Sequence, residues 1–302
     1  MSFAAEVKNE LCREPIGKKC CAVAEAYGAL LYGNCFSPSL IRFITASDAF
    51  AQRLPKLFRR AFGVDFDRLP PEGKSGKQSL SVTDSAKIAR VFETFGCDVR
   101  STPTLHINLP IVENECDRQA FLRGAFLAGG SVTDPALRYH LELATSHFSV
   151  SRETHSLLWE TGFEPKDVRR GANWLNYFKQ SAAIEDFLTT IGAPLAAMEI
   201  MQAKVEKDMT NTINRRTNCD MANADKVTGA AQEQLRAIRA IEAGPGLDSL
   251  PPVLQDTALL RIANPDCSLA DLSALSYPPV TKSCINHRIK KLMEFAASLE
   301  QN

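Results

Sequence analysis

No stretch of the 302 residues approaches the roughly 18 consecutive apolar residues of a membrane span, and the start of the chain shows no positively charged segment leading into an apolar one. Neither membrane insertion nor secretion is expected, and the chain reads as cytoplasmic. The nine cysteines, Cys12, Cys20, Cys21, Cys35, Cys97, Cys116, Cys219, Cys267 and Cys284, include no C-x-x-C pair and no histidine at zinc spacing, and their number is odd. They read as scattered reduced thiols, so neither a metal site nor a cofactor is expected. An excess of charge is also missing: 35 Lys and Arg balance 35 Asp and Glu, so any nucleic-acid surface must be local. What remains is the 45 % hydrophobic, 23 % charged composition of an ordinary globular protein, long enough for one large or two moderate domains.

Within that ordinary composition the segment "FLRGAFLAGG", Phe121 to Gly130, is unusual. It is apolar and lacks proline, yet it carries Gly124, Gly129 and Gly130, and glycine inside a helix costs about 1 kcal/mol relative to alanine. A second helix packed too closely for side chains to intervene would justify that cost. A partner exists in "EAYGALLYGNCF", Glu25 to Phe36, where Gly28 and Gly33 precede Gly124 and Gly129 by 96 residues each. The same offset aligns "TDSAKIARVFETFGC" (Thr83 to Cys97) with "KQSAAIEDFLTTIGA" (Lys179 to Ala193), and drifts to 99 where "GVDF" meets "GFEP".

Two repeats, about 20–100 and 116–195, therefore share one order of elements. Each begins with a small-residue helix (about 22–33; about 117–129). Next comes a stretch of period two, "LIRFITAS" or "RYHLELAT", which reads as a half-buried strand. An amphipathic helix follows (about 48–62; about 150–161), then two strand-like pieces, "DFDRL" and "QSLSV" or "EPKDVRR" and "NWLNYFK", and a closing helix capped by Gly96 or Gly192. The loop "PPEGKSGK" separates two of the pieces. The expected fold is α+β, a pseudo-twofold αββαββα-type double repeat with the glycine helices crossing at its centre.

"FLRGAFLAGGSV" resembles the LAGLIDADG helix motif of homing endonucleases, and "AYGALLYGNCF" resembles its partner copy. In that family the paired helices pack through small residues, a saddle-shaped sheet lies on DNA, and an acid at the foot of each helix binds a divalent metal. Those acids fall here on Gly33 and Gly129, so both carboxylates are missing. Metal-assisted phosphodiester cleavage needs oxygen ligands. Asp134 and Glu142 lie beyond the motif with no counterparts in the first copy. Nuclease activity is not expected, whereas the helices can persist as a packing interface. The saddle can persist as a surface for DNA or a partner, with Arg42, Arg138, His140, Trp174 and Tyr177 among its basic and aromatic strand residues.

After Pro194 the composition shifts to helix formers, closed by "GPG" at Gly244 to Gly246, and 196–245 reads as a helical linker of one or two helices. Asn211, Asn214, Asn218 and Asn223 are poor helix-interior residues clustered with Arg215, Arg216 and Lys226. They suit either a solvated helix junction or a set of donors aimed at phosphates or a minor groove. From Leu247, "LPPVLQDTALLRIANP" gives a helix with apolar Val253, Leu254, Ala258, Leu259 and Ile262. "SLADLSALS" starts with Ser268 as N-cap and Asp271 three residues on, a capping-box variant. After "YPP", Thr281 caps a last helix, with Val280 and Ile285 spaced as a hydrophobic staple.

In that last helix Ile285, Ile289, Leu292 and Ala296 form the buried stripe. The opposite side carries Lys282, Ser283, Asn286, His287 and Lys290, flanked by Arg288 and Lys291. From Val280 to Met293 there are four Lys or Arg and no acid, a local charge of plus four in a neutral chain. Residues 246–302 thus read as a helix-turn-helix domain whose second helix presents its N-terminal end to base edges. Asn286 suits adenine, Arg288 or Lys282 suits guanine, and the lysines suit phosphates. The turn "SYPPVT" is longer and richer in proline than the usual glycine turn.

The double repeat without its acids, the segment "NRRTNCDMANADK" and the ending "SLADLSALSYPPVTKSCINHRIKKL" together resemble the WhiA family of bacterial transcription regulators, as does the opening "SFAAEVKNEL". The resemblance implies promoter binding through the C-terminal domain, with Asn286, His287 and Arg288 as first contacts. It also implies roles in sporulation, or in cell division and chromosome segregation, and a nucleoid location. Double-stranded DNA is then the partner, joined in some members by a small iron–sulfur co-regulator, and RNA polymerase is a further implied partner. Two other readings remain open, an active LAGLIDADG-type endonuclease with displaced ligands and a protein-docking scaffold in cell division.

Overall fold

The computed structural model describes residues 2–71, 76–96 and 105–300; Cys97 and the middle of the "PPEGKSGK" loop lie outside them. Its contacts divide the chain into two compact units, 1–207 and 208–302. The first contains α1 (Phe3–Arg13), α2 (Lys19–Leu31), β1 (Cys35–Ser37), β2 (Leu40–Thr45), α3 (Asp48–Phe62), β3 (Gln78–Val82) and α4 (Ser85–Thr94). The second copy of the pattern follows as α5 (Glu115–Gly129), β4 (Gly130–Val132), β5 (Leu141–Thr145), α6 (Phe148–Glu160), β6 (Lys166–Arg170), β7 (Asn173–Phe178) and α7 (Ser181–Ile191). The strands make two antiparallel sheets, ordered β1-β2-β3 and β4-β5-β7-β6.

The glycines of α2 and α5 do what their spacing suggests. A methyl group on Gly28 would stand 2.1 Å from the Phe121 carbonyl oxygen, and one on Gly124 would stand 1.9 Å from that of Glu25. Backbone meets backbone at the crossing, and any side chain there would force the helices apart. Around it Ala24, Ala29, Leu30, Phe121, Leu122 and Ala125 are buried, so both helices are apolar nearly all round. Glu25 enters this core at 2 % exposure because Arg53 of α3 clasps it, Nε to Oε1 at 2.6 Å and Nη2 to Oε2 at 2.8 Å. Arg123 stands 3.5 Å from the same carboxylate.

The repeats differ where the chain order predicts equality. "EPKDVRR" forms β6, but "DFDRL" contributes only an isolated bridge between Arg68 and Ser81. Its Asp67 is engaged elsewhere: the carboxylate accepts from the amides of Thr83 at 2.6 Å and Asp84 at 2.8 Å and pairs with Lys87, pinning the start of α4. The three-residue strands β1 and β4, folded at the feet of the glycine helices, carry no pattern long enough to announce themselves. α1 answers to no element expected from the repeats, yet Ser2 caps it and Phe3, Val7 and Leu11 belong to the same core. Gly96 and Gly192 end their helices at positive φ.

After Ala193 the chain continues as one helix, α8 (Pro194–Ala243). Its first turns bury Ala196, Ala197 and Ile200 in the core of the first unit. In the second unit Ile238 and Ile241 near its end join Leu250, Ala258, Leu272, Ile285, Ile289, Leu292 and Ala296 in a separate core. That core is completed by α9 (Pro252–Ala263), α10 (Leu269–Leu275) and α11 (Lys282–Glu300). Ser268 and Asp271 form the expected capping box on α10, and the Cys284 amide donates to Thr281 Oγ1 at 3.3 Å. The apolar face read for α9 is shifted. Leu254 and Ala258 turn inward with Thr257 and Arg261, while Val253, Leu259 and Ile262 stay exposed. The reason is Arg261, which is 1 % exposed and supplies the donors this part of the core needs. Its guanidinium bonds Gln234 Oε1 at 3.0 and 2.8 Å and the carbonyls of Asn264 and Cys267 at 3.3 and 2.6 Å.

Candidate nucleic-acid interface

In the second unit, α10, the segment Ser276–Thr281 and α11 make a helix-turn-helix. Tyr277 is 98 % exposed, so the proline-rich connection holds its tyrosine clear of the core. The Val280 amide donates to Ser276 Oγ at 3.2 Å, closing the turn on itself. Burial of Ile285, Ile289, Leu292 and Ala296 fixes the rotation of α11. Lys282, Ser283, Asn286, His287, Lys290 and Lys291 are consequently all exposed on its other side. Arg288 is half-buried and leans over a groove of about 550 Å³ that it lines with Val253, Leu259, Leu275, Tyr277 and Pro278. Lys290 makes an exposed i,i+4 contact with Glu294 at 3.7 Å, a pairing worth only ~0.3–0.5 kcal/mol.

The polar cluster of α8 interrupts no helix. Asn214, Arg215, Arg216, Asn218 and Lys226 all lie in unbroken helix, and every residue from 208 to 230 is exposed. At about 100° per residue, Asn211, Asn214, Arg215, Asn218 and Lys226 fall within roughly a third of the circumference, and Arg216 falls on the far side. This stretch also carries Asp208, Asp220 and Asp225, as many acids as bases, unlike the start of α11.

At the feet of α2 and α5 the structure leaves no room for the carboxylates of the endonuclease motif. A methyl group on Gly129 would stand 2.4 Å from the Ala144 carbonyl oxygen and 3.0 Å from the Tyr32 ring, and one on Gly33 would stand 2.9 Å from the Ala29 carbonyl oxygen. The space is closed by Tyr32, whose hydroxyl donates to Thr154 Oγ1 at 2.8 Å, and by Thr145, which donates to the Leu31 carbonyl at 3.0 Å. Burial pushes the Tyr32 phenol up from its ordinary value, so it stays neutral. Asp134 and Glu142 are engaged elsewhere. Asp134 accepts from the Ala136 amide at 2.8 Å, and Glu142 holds His140 at 3.0 Å and Arg170 at 3.2 Å. Among the described residues, no three groups able to hold a metal converge at these feet.

The sheet registers sort the strand residues read as a saddle. Tyr177 sits opposite Glu142 and Lys166, on the outer face, and packs against His140 with ring centroids 5.6 Å apart. Arg42 is exposed and paired with Ser81, beside Arg68, on a pocket wall free of acids. Arg138 is exposed in the loop before β5. Trp174 does not belong to this face. It shares the inner face with Thr145 and Asn176 and packs, tilted, against Phe148 of α6 with ring centroids 4.7 Å apart. Arg68, read only as part of a strand in the sequence, is a further cation on this wall; its one local signal is its place two residues ahead of Pro70 and Pro71, where a regular strand cannot run on.

Comparison with known proteins bears on both units. The family model described as the WhiA LAGLIDADG-like domain matches residues 118–210, and that described as the WhiA C-terminal HTH domain matches 213–296. The chain is 35 % identical to the probable cell division protein WhiA of Ruminiclostridium cellulolyticum, over 100 % of this chain and 99 % of the other. It is 34 % identical to that of Desulforudis audaxviator, over 98 and 97 %. Among solved structures it is similar to full-length DUF199/WhiA from Thermatoga maritima, with 25 % identity, a TM-score of 0.61 and 99 % of each chain covered. The mixed α+β repeat unit followed by a helical helix-turn-helix unit is thus an architecture shared with these proteins, and no helix among the described residues is long and apolar enough to cross a membrane.

Proposed function

Because the chain belongs to the WhiA family, we propose that it is a non-enzymatic, sequence-specific DNA-binding regulator of transcription, acting on bacterial genes for cell division, chromosome segregation or sporulation. The observation that carries this reading is the exposed cationic start of α11, held by a closed turn on a packed three-helix support. Asn286 and Lys282 read base edges there, with His287 beside them and Arg288 at the margin. Ser283, Lys290 and Lys291 contact phosphates. Asn214, Arg215, Asn218 and Lys226 offer a second, weaker contact with the backbone, and Arg216 serves a different side of that helix. The names of the relatives support cell division as the process.

The repeat unit keeps the endonuclease shape without its chemistry, because backbone and Tyr32 occupy the space two carboxylates would need. It acts as a further clamp on DNA through Arg42 and Arg68, or as a docking face. The apolar groove beside Arg288 favours a protein seated next to the DNA, in keeping with the iron–sulfur co-regulator or RNA polymerase that the family resemblance implies. The test is a fluorescence-anisotropy titration of the full chain with promoter and scrambled duplexes across ionic strength. Regulation predicts a promoter preference and a linear fall of log K with log[salt]. Absence of salt-dependent duplex binding would leave the scaffold reading. Incubation with supercoiled plasmid and Mg²⁺ is expected to leave it intact, and nicking would restore the nuclease reading.

A further inference from the structure

The 96-residue offset that pairs the glycines also pairs Cys20 with Cys116 and Cys21 with Asp117. These are the second and third residues of α2 and of α5. Since the two helices pack together, the pseudo-twofold brings both pairs to one place: one ligand atom from each of the four residues lies within 4.8 Å of the other three. We propose that Cys20, Cys21, Cys116 and Asp117 form a binding site for a thiophilic divalent cation of the zinc type, tying the N-terminal ends of the two repeats to each other.

The distances have the scale of such a site. Tetrahedral zinc with Zn–S bonds of about 2.3 Å separates its sulfur ligands by about 3.8 Å, and Sγ of Cys20 and Cys21 are 3.9 Å apart. Sγ of Cys116 lies 3.7 Å from Oδ1 of Asp117. Three thiolates and one carboxylate form a donor set that selects zinc or cobalt over magnesium or calcium. Asp117 is buried, and its second oxygen accepts from Asn114 Nδ2 at 2.9 Å, the kind of outer contact that orients a ligand. Cys20 and Cys116 are exposed and leave an entry path. Neither Lys18 nor Asn114, the N-caps of the two helices, makes a side-chain cap bond to its helix. The four residues therefore sit at the open first turns of both helices. Spacing rules applied to one segment at a time cannot detect this set, because each segment supplies only two ligands.

The experiment uses the reduced, metal-free full chain, titrated with Zn²⁺ alone and with Co²⁺ alone. The site predicts one equivalent of zinc retained after desalting, a higher melting temperature with zinc, and the near-ultraviolet thiolate-to-cobalt absorption of a tetrahedral complex. Cys20→Ser and Cys116→Ser, at exposed positions, should fold as the parent does and lose that absorption, while Cys219→Ser should retain it. Asn114→Ala should weaken zinc binding roughly 10–100-fold. Failure of the reduced chain to retain zinc or to develop the cobalt band would overturn the proposal. So would retention of both by Cys116→Ser, or a disulfide between these cysteines in the protein as purified from cells.

Discussion

The crossing of α2 and α5 and the start of α11 both break the usual composition of a helix, and they break it for opposite reasons. At the crossing, glycines at 28 and 124 let two backbones touch, and nothing on those faces reaches solvent. At the start of α11, polar and basic residues stand exposed where packing makes no demand on them. Residues chosen for closeness should therefore govern stability, and residues chosen for exposure should govern recognition.

The most severe test of that division is Gly124→Val. With the Glu25 carbonyl oxygen only 1.9 Å from the new Cβ, the backbones must separate, and a loss of about 3 kcal/mol or more is expected, read as a lower denaturation midpoint. Next is Arg261→Ala, which strips donors from Gln234 and two carbonyls. Unsatisfied buried groups cost ~1–3 kcal/mol each, so the helical unit should melt early while the repeat unit does not, as differential scanning calorimetry would resolve. Gly129→Asp puts a Cβ 2.4 Å from the Ala144 carbonyl oxygen and adds a carboxylate to a closed space. It should destabilise the repeat unit and still give no plasmid cleavage in Mg²⁺.

On the recognition side, Asn286→Ala and Lys290→Ala should both leave stability within about 0.5 kcal/mol of the parent. Asn286→Ala should relax preference at one base position by ~1–3 kcal/mol. Lys290→Ala should weaken all sequences alike and lower the salt slope by about 1. Identical behaviour of the two variants in the salt titration would show the helix to be rotated from the register described here.

The smallest effect concerns Asp67. Its bonds from Lys87 and from the Thr83 and Asp84 amides hold its carboxyl well below the usual carboxylate range. A depressed folded pKa contributes stability that is present above the unfolded value and is lost as pH falls from about 4. Asp67→Asn should therefore lower the urea midpoint slightly at pH 7, and the gap to the parent should narrow progressively as pH falls below about 4 toward the depressed folded value.

Much of this was legible because the pattern was periodic. The repeat offset, the two glycine helices, β2, β3 and β5 to β7, the capping box at Ser268 and the buried stripe of α11 all follow from spacing and cap chemistry. What escaped was set by contacts distant in sequence. "DFDRL" has strand composition, but Asp67 is drawn off by the start of α4. Trp174 alternates like a saddle residue, yet the register with Thr145 turns it to the inner face. The face of α9 is shifted by Arg261, whose partners lie on α8 and in the following loop.

By itself, the order of residues determined that two similar halves would meet through glycine and that a cationic helix would follow them, since propensity, period and charge are local properties. Which atoms fill the place of the lost carboxylates, and which thiols become neighbours, only the tertiary structure decided. Both depend on groups some hundred residues apart arriving at the same few ångströms, and no local pattern encodes such a distance.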